Sequence, residues 1–383
     1  MELSVVIPCL NEADTLETCI RKALTGIAAA GVEGEVVVAD NGSTDGSREI
    51  AARCGARVVP VADRGYGNAL RAGIASAKGR FVIMGDADDS YDFLEIPRFV
   101  KPLREGADLV QGCRLPSGGG TVMPGAMPFL HRFWGNPMFS ALARRMFRAP
   151  IHDVYCGLRG FRREFVESLD LRCAGMEYAT EMVIKASLGR ARFAEVPVTL
   201  HPDGRKSHAP HLRTFRDGWR TLRFFLLCSP RWLFLVPGLA LLALGALGYA
   251  LALPGVRVFG ARLDVHTLLV ASLSALLGFN LIVSALCAKV FAITEGVLPE
   301  DPRLTRFFDR VRLEHGLIAG TGLFVVGVGL VGVVAAQWRA SGFGPLDYAA
   351  TMRWVIPGTF LAALGFQTML SSFLLSVLGL RRR

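Results

Sequence analysis

Up to about residue 230 the apolar positions come in short runs, and beyond it they come in stretches long enough to cross a bilayer. Ser4-Val5-Val6-Ile7-Pro8, Glu35–Asp40, Arg57–Val61 and Phe81–Gly85 are runs of strand length, rich in β-branched residues and closed by a polar or chain-breaking residue. Helical patterns follow from about Ala13 to Ala29, through Arg53 and through Ala77, and Ser43 or Thr44 is placed to cap the second of them. Strands alternating with helices predict an α/β domain built on a largely parallel sheet. Further strands are expected at Ala107–Gly112 and Glu195–Val198, and Ser117-Gly118-Gly119-Gly120 reads as a flexible stretch.

The long apolar stretches lie near Trp232–Leu253, Thr267–Ile293, Gly316–Trp338 and Trp354–Leu378, and each reaches the about 20 residues that a membrane helix requires. Trp232, Trp338 and Trp354 stand at their ends, as interfacial anchors do. These stretches explain a composition that is 51% hydrophobic over 383 residues, with a mean hydropathy of +0.38, too apolar for an ordinary soluble enzyme. The formal charge of +10 is unevenly placed. Arg213, Arg216, Arg220, Arg223 and Arg231 precede the first stretch, Arg303, Arg306, Arg310 and Arg312 separate the second from the third, and Arg381–Arg383 close the chain. The positive-inside rule therefore puts both termini and the globular half in the cytosol, in an integral protein of the cytoplasmic membrane. Met1-Glu2-Leu3-Ser4 lacks a basic n-region, so no cleaved signal peptide is expected. Eight scattered cysteines without zinc spacing read as reduced thiols.

Candidate chemistry collects where the strands end. The Phe81–Gly85 run delivers Asp86 and Asp88, separated by a small alanine, and two ionised carboxylates held together call for a cation. Hard oxygen ligands suit Mg²⁺ or Mn²⁺, which keep positions open for phosphate oxygens. Pro8, Asn11 and Glu12, then Asp40 and Asn41, then Arg64–Asn68 with Gly67, fall at the other strand ends, where open α/β sheets bind ligands. Four polar loops on one edge make a nucleotide crevice. Neither Gly-x-Gly-x-x-Gly after the first strand nor a P-loop lysine motif is present, which disfavours an NAD enzyme or an ATPase.

Val5-Val6-Ile7-Pro8-Cys9-Leu10-Asn11-Glu12, Asp40-Asn41-Gly42-Ser43-Thr44-Asp45-Gly46 and Gly85-Asp86-Ala87-Asp88 together resemble the three signatures of family 2 glycosyltransferases with the GT-A fold. With four spans appended, the chain is similar to the polyprenyl-phosphate branch typified by dolichol-phosphate mannose synthase. The resemblance covers roughly residues 2–210. It implies inverting transfer of a hexose from a UDP- or GDP-linked sugar to an undecaprenyl or dolichyl phosphate. Asp40 would then recognise the nucleotide, with Pro8, Asn11, Glu12, Asn41, Gly67 and Asn68 around it, and Asp86 and Asp88 would hold the metal and diphosphate. Many relatives carry Gly-Gln or Leu-Gln where this chain has Asp89-Ser90, which leaves open whether Asp89 joins the metal shell.

On the acceptor side, Met127–Phe147 mixes aromatic residues with Arg132, Arg144 and Arg145, and is read either as a membrane-surface segment or as a core helix. Arg114, Arg132 and Arg159 are the candidates for the lipid phosphate. His152–Phe161 resembles the family segment whose aspartate lies beside the acceptor, so Asp153 is either a general base or an orienting, charge-balancing group. A phosphate monoester is already largely ionised near neutrality and is its own nucleophile. Glu181, near the start of the Tyr178–Leu188 helix, reads as either a site residue or a capping carboxylate. Arg205 and Lys206 lie in a basic loop that would either close over the diphosphate or rest on anionic lipid.

The expected organisation is a GT-A, Rossmann-like domain over 1–210, juxtamembrane amphipathic helices over 211–231 and four membrane helices over 232–383. Asp88, Asp153 and Arg205 are the expected catalytic set, with membrane, nucleotide sugar and polyprenyl phosphate as partners. No nucleic acid is expected, and a homo-oligomer is left open. The competing readings are a glycosyltransferase for glycolipid or polysaccharide acceptors, a transporter, and a non-catalytic sugar-nucleotide binder. A processive synthase would carry Gln-x-x-Arg-Trp, which is absent, and a transporter would carry acids within its spans.

Overall fold

A computed structural model describes residues 1–205, 214–295, 298, 301–302, 304–306 and 313–380. The chain divides into two compact units, Met1–Phe225 and Leu226–Arg383. The first is built on strands β1 (Leu3–Cys9), β2 (Gly34–Asp40), β3 (Arg57–Pro60), β4 (Phe81–Met84), β5 (Leu109–Cys113), β7 (Arg159–Arg162) and β8 (Phe193–Pro197), with a short parallel pair, β6 (Thr121–Val122) and β9 (Thr199–Leu200), beside them. The seven-stranded sheet runs in the order β3-β2-β1-β4-β7-β5-β8. Every pairing in it is parallel except the two that β7 makes with β4 and β5. This is the mostly parallel sheet that the alternation predicts, in keeping with the GT-A fold that the resemblance implies.

Leu3, Val5, Val6 and Ile7 are wholly buried, as are Val82, Ile83 and Met84, because helices cover both faces of the sheet. Helix α1 (Leu16–Ala29) contributes Leu16, Cys19, Ile20, Ala23 and Ile27, the i, i+3, i+4 stripe of a core-facing helix. Helix α2 (Ser47–Arg53) starts differently from expectation. Its first flanking residue is Gly46 in the left-handed region (φ 89°), and Asp45 takes the Ser47 N–H at 3.1 Å. Ser43 and Thr44 do not cap it, because Asn11 and Asp40 hold them.

One further expectation is corrected. Ser117–Gly120 is packed against β5, where a Cβ on Gly118 would meet Cys113 Sγ at 2.4 Å and one on Gly120 would meet Cys113 O at 2.1 Å. Glycine serves close approach there. The end of His152–Phe161 starts β7, inserted between β4 and β5, with Arg159 opposite both Met84 and Gln111.

The second unit holds four helices long and apolar enough to cross a membrane, Arg231–Ala252, Val265–Thr294, Leu313–Ala340 and Tyr348–Leu378. The first packs on the second and the third on the fourth, and the second also meets the fourth. A Cβ on Gly327 would lie 2.3 Å from Ala362 N, and one on Gly365 would lie 2.4 Å from Phe324 N, so glycine lets the third and fourth backbones touch. Lys289 pairs with Asp301, and Arg353 meets Asp264 at 2.8 Å. The expected arginines at 213, 303, 310, 312 and 381–383 lie outside the described residues.

Candidate active site

The carboxyl ends of β1, β2 and β4 lie side by side, since Cys9 pairs with Asp40 and Val6 with Met84. The segment after β5 and the segment before the antiparallel β7 come to the same edge. Five stretches far apart in sequence therefore converge on one crevice.

At its centre are Asp86 and Asp88, both half-buried. Asp86 Oδ1 accepts the Tyr66 hydroxyl at 2.8 Å. Asp88 Oδ1 accepts from Ser90, from N–H at 3.1 Å and from Oγ at 2.6 Å. The turn is tied down at both sides, by Thr15 Oγ1 donating to Ala87 O at 2.6 Å and by Gly204 N–H donating to Asp88 O at 3.0 Å. Burial, and then the neighbouring Asp88 charge, push the Asp86 carboxyl up to about 6. Asp89 points elsewhere, with φ at 57° and its carboxylate on Lys22 Nζ at 2.8 Å.

Arg205 is brought to this pair by the strand-like return of residues 199–204. It makes a bidentate pair with Glu12, at 2.7 Å and 2.6 Å, and its Nη1 lies 2.8 Å from Asp203 and 3.4 Å from Asp88. Lys206 lies outside the described residues. Three carboxylates, Glu12, Asp88 and Asp203, thus surround one guanidinium, and Asp86 stands beside Asp88 close enough for their charges to interact. The local deficit of positive charge is the physical reason a divalent cation fits here, with hard oxygen donors from Asp86 and Asp88. Among the described residues no group of three or more His, Cys, Asp or Glu is arranged to hold a metal, so further oxygens would come from the substrate and water.

The nucleotide side is a web of backbone contacts. Asp40 is buried beneath its loop and accepts the N–H groups of Gly42 and Ser43 and Arg48 Nε. Burial disfavours its charge, but those hydrogen bonds outweigh it and hold the carboxyl below the usual range. Asn41 joins this loop to the next, accepting Gly65 N–H at 2.6 Å and donating to Asp63 O at 2.8 Å. Asn11, at φ 59°, accepts Thr44 N–H at 2.8 Å, and Pro8 is buried in β1 beside Ala39.

Gly67 and Asn68 open helix α3 (Tyr66–Ser76) and are engaged within the protein. A Cβ on Gly67 would meet Cys173 O at 2.2 Å, and Asn68 is engaged with Arg64 O and Arg71. They dock α3 on the 172–174 loop, which Glu181 holds by accepting Arg172 N–H and Cys173 N–H. Glu181 is therefore a structural carboxylate.

The acceptor candidates separate cleanly. Asp153 is fully buried, and its two oxygens accept Arg114 N–H at 3.1 Å, Arg114 Nε at 2.7 Å, Arg114 Nη2 at 3.0 Å and Tyr155 N–H at 3.2 Å. Burial opposes its charge, yet Arg114 more than offsets this and holds the carboxyl below the aspartate range. A carboxylate so saturated fits the orienting role and not that of a base. Arg159 is wholly buried and donates to the backbone carbonyls of Cys156, Val154 and Ala179, so it braces the sheet and does not reach a lipid phosphate. Arg132 is half-buried, with its guanidinium 5.4 Å from the Phe133 ring centroid. Around it Phe129, Leu130, Phe133, Trp134 and Met138 are exposed, Trp134 by 70%, whereas Phe139 and Phe147 of helix α4 (Asn136–Phe147) pack edge-on to Phe225. The core-helix alternative fits Phe139 and Phe147, while the stretch before them carries the exposed aromatic residues.

Residues 4–170 match the family model of glycosyl transferase family 2, and residues 286–379 match that of the glycosyltransferase family 2 C-terminal transmembrane region. The low-salt glycan biosynthesis hexosyltransferase Agl6 of Haloferax volcanii is 37% identical over 98% of this chain and 89% of its own. The chain belongs to glycosyltransferase family 2. A dolichyl-phosphate hexose transferase of the same organism is 32% identical to this glycosyltransferase over 51% of the chain and 82% of its own length. Among solved structures, glucosyl-3-phosphoglycerate synthase from Mycobacterium tuberculosis with Mn²⁺ and UDP-glucose is 24% identical, with a TM-score of 0.46 over 59% of this chain and 78% of its own. The transmembrane match and the four apolar helices make this glycosyltransferase an integral membrane protein.

Proposed function

We propose that this glycosyltransferase moves a hexose, with inversion, from a nucleotide diphosphate sugar to a polyprenyl phosphate at the cytosolic face of the membrane, using Mg²⁺ or Mn²⁺ held by Asp86 and Asp88. The observation that carries the reading is the convergence of that acid pair with the fixed Arg205 on one sheet edge, in a chain similar to a dolichyl-phosphate hexose transferase. A bound divalent ion offsets charge on the departing diphosphate. Arg205, locked by Glu12 and Asp203, adds a second cation without reorganising. The Asp40–Ser43 loop shapes the nucleotide end, and Arg114, held flat by Asp153, and Arg132 are the cations left to orient the acceptor phosphate. The exposed aromatic segment around Trp134 suits the membrane surface from which that phosphate arrives.

Membranes containing the protein are expected to transfer label to extracted lipid from one of UDP-glucose, UDP-galactose and GDP-mannose when polyprenyl phosphate is supplied, and to stop when EDTA is added. Label appearing only in glycolipid or polysaccharide would overturn the acceptor assignment.

The raised Asp86 carboxyl has a consequence for stability. Its folded value of about 6 lies above the ordinary 3.8, so its contribution is fully present below 3.8 and is lost as pH rises through 6. Asp86→Asn is therefore expected to raise the melting temperature at pH 7.5 in EDTA. The gain should shrink as pH falls from about 6 towards 3.8 and vanish below it. A pH-independent difference in differential scanning fluorimetry would contradict this.

A further inference from the structure

We propose that Tyr66 is a positioning residue for Asp86, tethering one carboxylate oxygen so that the other is the one that takes the cation. The inference rests on the reading of Asp86 as a metal ligand.

Tyr66 begins α3, and its hydroxyl crosses to the end of β4 to donate to Asp86 Oδ1 at 2.8 Å. The backbone that delivers it is fixed from two directions. Gly67 N–H donates to Ala174 O at 2.9 Å, and Gly65 N–H donates to Asn41 Oδ1 at 2.6 Å. Gly65 itself, at φ 138°, lies where a Cβ would meet Ala174 O at 2.3 Å, so the turn before Tyr66 accepts only glycine. The phenol is therefore aimed by the fold.

The second oxygen is treated in the opposite way. Asp86 Oδ2 lies over Gly157, where an added Cβ would come within 2.5 Å of it and 3.1 Å of the Tyr91 ring. Tyr91 fixes that backbone by accepting Gly157 N–H at 2.9 Å. One oxygen is tethered by a phenol, and the other is kept clear by a glycine. An untethered carboxylate rotates freely about its last torsion, whereas a donor on one oxygen sets which oxygen remains, the usual work of an outer-shell partner at a metal site.

Tyr66→Phe keeps the ring and removes only the donor. In full-length protein in lipid nanodiscs, titration with Mn²⁺ alone, followed by electron paramagnetic resonance, should show binding about tenfold weaker than wild type. Transfer should recover towards the wild-type rate as Mn²⁺ is raised to saturation, and the metal-free melting temperature should stay near that of wild type. Asp86→Asn should lose the Mn²⁺ site. An unchanged Mn²⁺ isotherm for Tyr66→Phe, with the site still lost in Asp86→Asn, overturns the positioning role while the metal reading stands. An unchanged isotherm for Asp86→Asn overturns the metal reading and this role with it. A lowered melting temperature in Tyr66→Phe without weaker Mn²⁺ binding marks the hydroxyl as merely structural and also overturns the proposal.

Discussion

Asp88→Ala is expected to lower sugar transfer to polyprenyl phosphate by on the order of a thousandfold or more, while the protein still inserts in the membrane. The side chain has two functions that the variant removes together. Oδ1 holds Ser90 at 2.6 Å, which fixes the turn, and Oδ2 faces Arg205 at 3.4 Å. Losing the Ser90 contact costs about 1 kcal/mol of net hydrogen bonding, too little to unfold the domain. Losing the carboxylate removes one of the two oxygen ligands proposed on the protein side and would leave the half-buried Asp86 without its partner in holding a cation. Asp88→Asn separates these effects, since an amide oxygen can still accept from Ser90 but carries no charge. Both variants should therefore be inactive, with Asp88→Asn closer to wild type in melting temperature. Turnover like wild type by either one, measured in matched membranes, would remove the metal assignment.

The features that were legible in the sequence share a physical cause. Strands β1, β2 and β4 are buried along most of their length, so each carries a short apolar run, Val5–Ile7, Val36–Ala39 and Phe81–Met84, that soon gives way to polar residues. The four spans are legible for the same reason on a longer scale. Strand β7 was not, because Arg159-Gly160-Phe161-Arg162 reads as polar, and its Arg159 is buried only by virtue of three backbone carbonyls that folding brings to it. Residue type likewise suggested nucleotide contacts for Gly67 and Asn68, whereas the missing side chain of Gly67 answers to Cys173, a neighbour in space and not in sequence. Tyr66 escaped notice because a lone tyrosine carries no spacing signal. The pairing of Arg114 with Asp153 spans 39 positions, and each residue alone had seemed available to the acceptor.

That pairing sets the largest stability effect expected in the first unit. Arg114→Met should destabilise it by about 3–5 kcal/mol, because it leaves a fully buried aspartate charged and unpaired. Without Arg114 burial pushes the Asp153 carboxyl up, so taking a proton is what limits that cost. With Arg114 present its folded value lies below the ordinary 3.8, so the pair contributes fully above that value and is lost only as pH falls through the folded one. The double variant Arg114→Met with Asp153→Leu should recover much of the loss, since an apolar pair of similar volume often replaces a buried ion pair at little cost. Activity then distinguishes the two uses of the arginine. If Arg114 only balances Asp153, the refolded double variant regains transfer with an unchanged KM for polyprenyl phosphate. If Arg114 also orients the acceptor through Nη1, which lies 3.3 Å from the Tyr91 hydroxyl at the rim of the pair, the double variant folds but needs far more lipid phosphate to turn over. The second outcome is the one expected, because the described acceptor side offers Arg132 as its other candidate cation and a dianionic phosphate is best held by two. Thermal unfolding of the three proteins in nanodiscs, followed by KM measurements on those that fold, reads both effects.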